Sequence, residues 1–160
     1  MTAATETYYA VIVGAGPAGS SAAIRLADAG LKIALVEQKR FPREKLCGEF
    51  VSPECLGHFD ELGVMPAIRE VGGTDIAETI FYSKRGNPVS IKSEWFGNAG
   101  STALGISRAE MDLKLMERAE IAGVDVLTET SVTEIVSAGD AVAGIKVKPA
   151  NGVETELLAN

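Results

Sequence analysis

Cysteine and histidine are nearly missing from this chain. Its two cysteines, Cys47 and Cys55, make no disulfide framework. His58 is the only histidine, and with no candidate partner near it we assign it neither a catalytic nor a metal role; no metal site is read anywhere. Basic residues are in deficit: 15 Lys and Arg against 22 Asp and Glu leave a formal net charge of -7. That argues against nucleic acid as the main partner, because phosphate binding wants a basic face. No apolar run approaches the roughly 20 residues of a membrane span. Residues 1–7 are polar and lack a basic segment, so they read as a frayed tail and not as a signal peptide. A cytoplasmic location is the expectation. What the chain does have is enough for one domain with its own core: 160 residues, 46% hydrophobic and 23% charged.

The most informative stretch runs from Tyr8 to Glu37. Ala10-Val11-Ile12-Val13 is a short apolar run suited to a buried parallel strand. Gly14-Ala15-Gly16-Pro17-Ala18-Gly19 follows with G-x-G-x-x-G spacing. An alanine-rich helix is expected from Pro17 to Ala29, with Gly30 as its terminating glycine. A second apolar strand, Leu31 to Val36, ends at Glu37. The order suits a dinucleotide. Gly14 lets the chain turn sharply, Gly16 leaves room for a pyrophosphate against the backbone, and Gly19 lets the helix pack closely on the sheet. The helix N-terminus presents free N–H groups and the positive end of its dipole to the phosphates. Glu37 stands where a carboxylate accepts both hydroxyls of an adenosine ribose, which disfavours a 2′-phosphate and hence NADP. A lone glycine motif is weak evidence; here the strand, helix, second strand and terminal acid agree.

A charged loop, Gln38 to Lys45, contains Pro42 and leads into Leu46-Cys47-Gly48-Glu49-Phe50-Val51. A helix follows, with Ser52 as N-cap, Pro53 as first residue, an apolar face of Leu56, Phe59 and Leu62, and Gly63 at its end. Met65 to Glu70 adds another turn. Residues 72–105 change character: Ile76, Ile80, Phe81 and Tyr82, a turn at Arg85-Gly86-Asn87-Pro88, then Val89 and Ile91 read as an antiparallel pair. The loop from Trp95 to Ser101 either covers a pocket or is a packed hairpin end. Ser107 and Glu110 have capping-box spacing and open the longest helix, whose apolar face carries Met111, Leu115, Ala119 and Ala122 and is broadened by Leu113 and Met116. Gly123 stops it. Strands are expected at Val124 to Leu127, Ser131 to Val136, Val142 to Val147 and Val153 to Leu158, with turns at Gly139-Asp140 and Asn151-Gly152. The fold class is α/β: a parallel sheet with a three-stranded antiparallel meander.

Those residues resemble the N-terminal part of the geranylgeranyl reductase family of FAD-dependent oxidoreductases, within the glutathione-reductase-like flavoproteins that also include aromatic hydroxylases and flavin-dependent halogenases. The resemblance is carried by Val13 to Gly19, Glu37, the run Phe41-Pro42-Arg43-Glu44-Lys45-Leu46-Cys47-Gly48-Glu49, and Ile106-Ser107-Arg108 heading a helix. The glycine run is shared by many flavoproteins. The Pro-x-x-Lys-x-Cys-Gly run is more specific to the reductase branch, since the halogenases compared usually lack the cysteine.

The resemblance implies a Rossmann-like FAD-binding segment at residues 1–71, the start of a substrate-domain β insertion at 72–105, and a continuation of the FAD-binding domain at 106–160. It implies FAD as cofactor, held by Gly14, Gly16, Pro17, Ala18, Gly19, Glu37, Gln38, Lys45, Cys47, Gly48 and Arg108. Arg108 would reach the FAD phosphates or the loop around them; a cation at a helix N-terminus opposes the dipole, which points to a functional reason for it. Cys47 is the catalytic candidate, in a loop beside the isoalloxazine; the competing reading is a small buried apolar residue. Cys55 is expected in the core. Arg43 and Lys45 either steer the anionic cofactor or are solvated loop charges. The implied reaction is hydride delivery to a carbon–carbon double bond of an apolar, prenyl-type substrate, with an external electron donor and membrane association only through the substrate.

The chain departs from the family pattern at its end. The strand closing in an Ala-Asp-Gly-type turn and the later flavin-binding Gly-Asp segment are missing, and the one Gly-Asp pair, Gly139-Asp140, sits in a meander turn. The expectation is a piece of a protein twice as long or more. The alternatives are a flavin monooxygenase or halogenase, a non-catalytic nucleotide-binding module, and an NAD-binding subunit; the Cys-Gly loop and the meander argue against the last.

Overall fold

The computed structural model describes residues 6–46 and 49–160. In chain order the elements are β1 (Glu6–Tyr8), β2 (Ala10–Val13), α1 (Pro17–Asp28), β3 (Ile33–Val36), β4 (Phe50–Val51), α2 (Pro53–Glu61), α3 (Met65–Glu70), β5 (Thr74–Ile76), β6 (Glu78–Phe81), β7 (Val89–Lys92), β8 (Ala103–Gly105), α4 (Arg108–Ile121), β9 (Asp125–Leu127), β10 (Thr130–Ala138), β11 (Ala141–Pro149) and β12 (Thr155–Ala159). They fall into two units, one built from residues 1–43 and 112–160 and the other from 44–111. The helices α2 and α3, which the sequence groups with the glycine turn, belong to the second unit.

The first unit holds a parallel sheet in the order β2-β3-β9. Its central strand is Ile33-Ala34-Leu35-Val36, every residue of which is buried. Apolar residues in succession are what a strand covered on both faces requires, and each large side chain buried there contributes about 1.5–3 kcal/mol. β2 is the edge strand and is only half-buried, with Val13 exposed, so the expected buried strand is a partly covered one. α1 ends in a Schellman motif: Leu31 N–H donates to Leu26 O and Gly30 N–H to Ala27 O. Gly30 takes φ +85°, which a side chain would oppose.

A second sheet of the same unit has the order β1-β12-β11-β10. The meander β10-β11-β12 is antiparallel and matches the expected three strands, with β10 and β11 longer at both ends. The expected frayed tail is corrected in part, because Glu6 and Thr7 belong to β1, which pairs in parallel with β12. Tyr8 ends that strand in the core, with its ring under the Lys32 ammonium and its hydroxyl donating to Glu6 Oε2 at 2.7 Å. Burial first, and then that hydrogen bond, push the phenol well above its ordinary pKa. Tyr8, Ala34, Val36, Ile145, Val147 and Leu157 form one apolar cluster.

The second unit contains a short antiparallel sheet, β4-β8-β5, and the hairpin β6-β7. The hairpin was legible from the turn at residues 85–88. β4 and β8 were not, being two and three residues long. α2 starts at Ser52 and Pro53 as expected, but the Ser52 hydroxyl donates to Cys55 Sγ at 3.5 Å and does not cap the helix. Cys55 is exposed and not in the core, since it stands in the first turn of α2 and the buried stripe begins one residue later at Leu56. Residues 93–96 form a 3₁₀ turn, fixed where Ser93 donates from its N–H to Ala77 O and from its hydroxyl to Ile76 O. Trp95 on that turn is 64% exposed, so it is not a packed hairpin end.

Candidate functional site

β2 delivers the chain to Gly14, whose φ of +99° turns it out of the sheet while its N–H donates to Val36 O at 2.7 Å. Gly16 is the N-cap of α1 and Pro17 its first residue. No side chain caps this end and no acidic residue lies in its first turn, so the dipole's positive end and the leading amides face outward unanswered. A Cβ on Gly19 would stand 2.0 Å from Gly14 O and 3.3 Å from Ile12 Cγ2, so only glycine lets the helix sit this close to the turn. An uncapped helix N-terminus behind a glycine turn fits a pyrophosphate, which its amides and dipole would attract.

Glu37, at the end of β3, is held from every side. Its N–H donates to Leu127 O and its carbonyl accepts from Thr130 N–H. Its carboxylate accepts from Ala15 N–H at 3.2 Å on Oε2 and from Lys39 N–H at 3.0 Å on Oε1. The first of these ties the acid directly to the glycine turn. Gln38 beside it is exposed.

Arg43 corrects the reading of a solvated loop charge. It is 8% exposed, with Nε 3.2 Å from Glu37 Oε2 and Nη1 3.2 Å from Asp112 Oδ2. The Phe41 ring lies 5.0 Å from its guanidinium. Asp112, on α4, is completely buried. Sequence reasoning passed over it, although the signal was present: Asp112 precedes Leu115, Met116 and Ala119 by three, four and seven residues, which places an acid inside the helix's buried stripe.

Two other predicted site residues belong to the second unit. Lys45 and Arg108 line a polar cavity of about 530 Å³ in the second unit, together with Glu44, Glu49 and Ser107. Cys47 and Gly48 lie outside the described residues. A separate apolar cavity of about 350 Å³ in the second unit is lined by Phe50, Pro53, Phe81, Ile91 and Phe96, with Thr79 and two serines. The exposed aromatics foreseen near residue 95 thus contribute one wall of a pocket through Phe96. Among the described residues no group of acids, cysteines and histidine could hold a metal, and no helix is long and apolar enough to cross a membrane.

The chain is similar in sequence and fold to known flavin-dependent proteins. The digeranylgeranylglycerophospholipid reductase of Methanosarcina mazei is 29% identical over 143 residues, covering 89% of this chain and 33% of its own length. A geranylgeranyl bacteriochlorophyll reductase-like structure from Thermoplasma acidophilum superposes with TM-score 0.80 at 27% identity, covering 98% of this chain and 38% of that chain. The myxobacterial chondrochloren halogenase superposes with TM-score 0.87 at 26% identity over 96% of this chain and 36% of that one. The chain therefore spans about a third of the length of these relatives. The expected resemblance to the geranylgeranyl reductases and the expected cofactor, FAD, are both borne out. The model of the FAD binding domain matches residues 7–160, and with that match this chain belongs to the FAD-binding domain family of flavoproteins.

Proposed function

We propose that this domain is the FAD-holding part of an oxidoreductase that reduces carbon–carbon double bonds of a prenyl-type or other apolar substrate. The observation that supports the cofactor half of this reading is the Ala15 N–H to Glu37 Oε2 contact, which joins the glycine turn before an uncapped helix N-terminus to the carboxylate at the end of β3. Gly14, Gly16, Pro17, Ala18 and Gly19 would line the pyrophosphate, and Glu37 with Gln38 would face the adenosine ribose. Lys45 and Arg108 supply the cationic side chains of the second unit's polar cavity. Bound FAD supplies hydride transfer. The chain's own part is to bind and orient it and to exclude water.

The substrate half of the reading draws on two things. The relatives from Methanosarcina mazei and Thermoplasma acidophilum carry reductase names. The cavity between Phe50, Phe81, Ile91 and Phe96 offers an apolar chain a mostly apolar wall without charged side chains. Cys47, next to Gly48 in the loop assigned to the flavin side, is the residue we assign to proton delivery or pocket shape. An external reductant and a cytoplasmic setting belong to the same reading. A halogenase reading is the alternative, favoured by the TM-score of 0.87 to the chondrochloren halogenase. The deciding experiment supplies reduced flavin and a prenyl substrate to a full-length protein carrying this domain, with halide and oxygen present in a parallel reaction. Mass spectrometry showing hydrogen added across a double bond supports the reductase. Halogen incorporation without reduction overturns it.

A further inference from the structure

Glu37, Arg43 and Asp112 form a buried charge cluster in which one guanidinium lies between two acids. The side chains of Glu37 and Arg43 are each 7% exposed and that of Asp112 is 0% exposed. Burying charged groups costs several kcal/mol each unless they are paired, so an acid placed wholly inside an amphipathic helix face needs an explanation. Packing gives none: an apolar residue at that position would extend the stripe of Leu115, Met116 and Ala119 at no desolvation cost.

The geometry explains it. Arg43 sits in a loop, and its side chain has many rotamers to lose. Asp112 stands on a helix and cannot wander. The ion pair at 3.2 Å ties the loop guanidinium to the helix, and the second contact, also 3.2 Å, passes that constraint to Glu37 Oε2. With Ala15 N–H on the same oxygen and Lys39 N–H on the other, the plane of the carboxylate is then set from three directions. Neither Arg43 nitrogen makes an aligned hydrogen bond in these contacts, so the fork acts as a charge clamp and leaves acceptor positions on Glu37 for incoming hydroxyls.

We infer that Asp112 is a positioning residue that acts through Arg43 to aim the Glu37 carboxylate at the adenosine ribose, and so sets the preference for a free 2′-hydroxyl. The inference rests on the proposed role of Glu37. Its test is the ratio of affinities for ADP and 2′-deoxy-ADP, measured by calorimetry on the 160-residue chain. A merely structural residue would weaken both ligands alike and leave the ratio unmoved.

The wild-type chain should prefer ADP by about tenfold or more, the scale of one hydrogen bond to a charged group. In Asp112→Asn the preference should shrink to about two- to threefold, because only ADP carries the 2′-hydroxyl whose contact with the displaced carboxylate is lost. Asp112→Asn leaves Arg43 with one acid fewer, so the double variant Arg43→Met/Asp112→Leu, which removes that ion pair and leaves Glu37 its Ala15 and Lys39 amide contacts, is measured beside it. That variant should fold, by circular dichroism, and show the same reduced ratio. A wild-type chain that binds the two nucleotides alike overturns the ribose assignment of Glu37 and this inference with it. A wild-type preference that survives undiminished in the folded double variant overturns the role of Asp112 alone.

Discussion

A side-chain carbon on Gly19 would lie 2.0 Å from the carbonyl oxygen of Gly14. The obstacle is backbone, so no flexible side chain can yield. Gly19→Ala must push α1 off the turn or distort the turn itself. We expect a loss of roughly 1–3 kcal/mol, the usual cost of overpacking, together with weaker nucleotide binding. Urea denaturation with and without ADP measures both. Gly57→Ala is the control: it lies on α2 with open space around its Cα, and replacing a helix glycine there should be neutral or stabilising by up to about 1 kcal/mol.

Glu37→Ala removes the ribose acceptor and also frees the Ala15 and Lys39 amides. ADP binding should weaken by roughly 1.5–3 kcal/mol, the scale of a hydrogen bond to a charged group. Glu37→Gln keeps an acceptor oxygen and should lose less. Calorimetric titration of the two variants, with folding checked by circular dichroism, separates them. Equal binding in wild type and both variants would mean that Glu37 only terminates β3.

The glycine turn, α1, β3 and Glu37 were legible because each depends on a local rule: apolar runs, glycine spacing, a helix stop. The meander was legible from its two turns. What escaped was non-local. Glu6 and Thr7 looked like part of a tail because the strand they open is three residues long, is polar at that end and pairs with β12, far along the chain. Cys55 looked apolar enough for the core, but the first turn of α2 lies outside the stripe that begins at Leu56. Arg43 looked solvated because its neighbours Arg40, Glu44 and Lys45 are all charged, and only Asp112 on a distant helix shows why it is buried. Such a pairing joins two separated segments, and no periodicity reports it. Half of it was visible as an acid in an apolar stripe.

The two cysteines should part company. In a full-length protein carrying this domain, Cys47→Ala should keep FAD, seen in the visible flavin spectrum, and lose most of the reductase turnover. Cys55 is exposed and touches only the Ser52 hydroxyl among its described hydrogen-bond partners. Cys55→Ala should therefore leave turnover intact and change stability by no more than about 0.5 kcal/mol. Steady-state assays with flavin occupancy measured in parallel distinguish a catalytic loss from a cofactor loss. Normal turnover in Cys47→Ala would leave that residue a packing role only.

The account stands on the backbone cradle at the start of α1, and Gly16 is its most exposed point of failure. Gly16 has φ -81° and ψ -177°, extended backbone that a branched residue can adopt, and a side chain there would occupy the pyrophosphate's approach. The most direct measurement is calorimetric titration of ADP into the wild-type chain and into Gly16→Val, each shown to be folded. Saturable binding by wild type and none by the variant is the expected result. Unchanged affinity in a folded Gly16→Val chain would contradict the placement of the dinucleotide in this cradle.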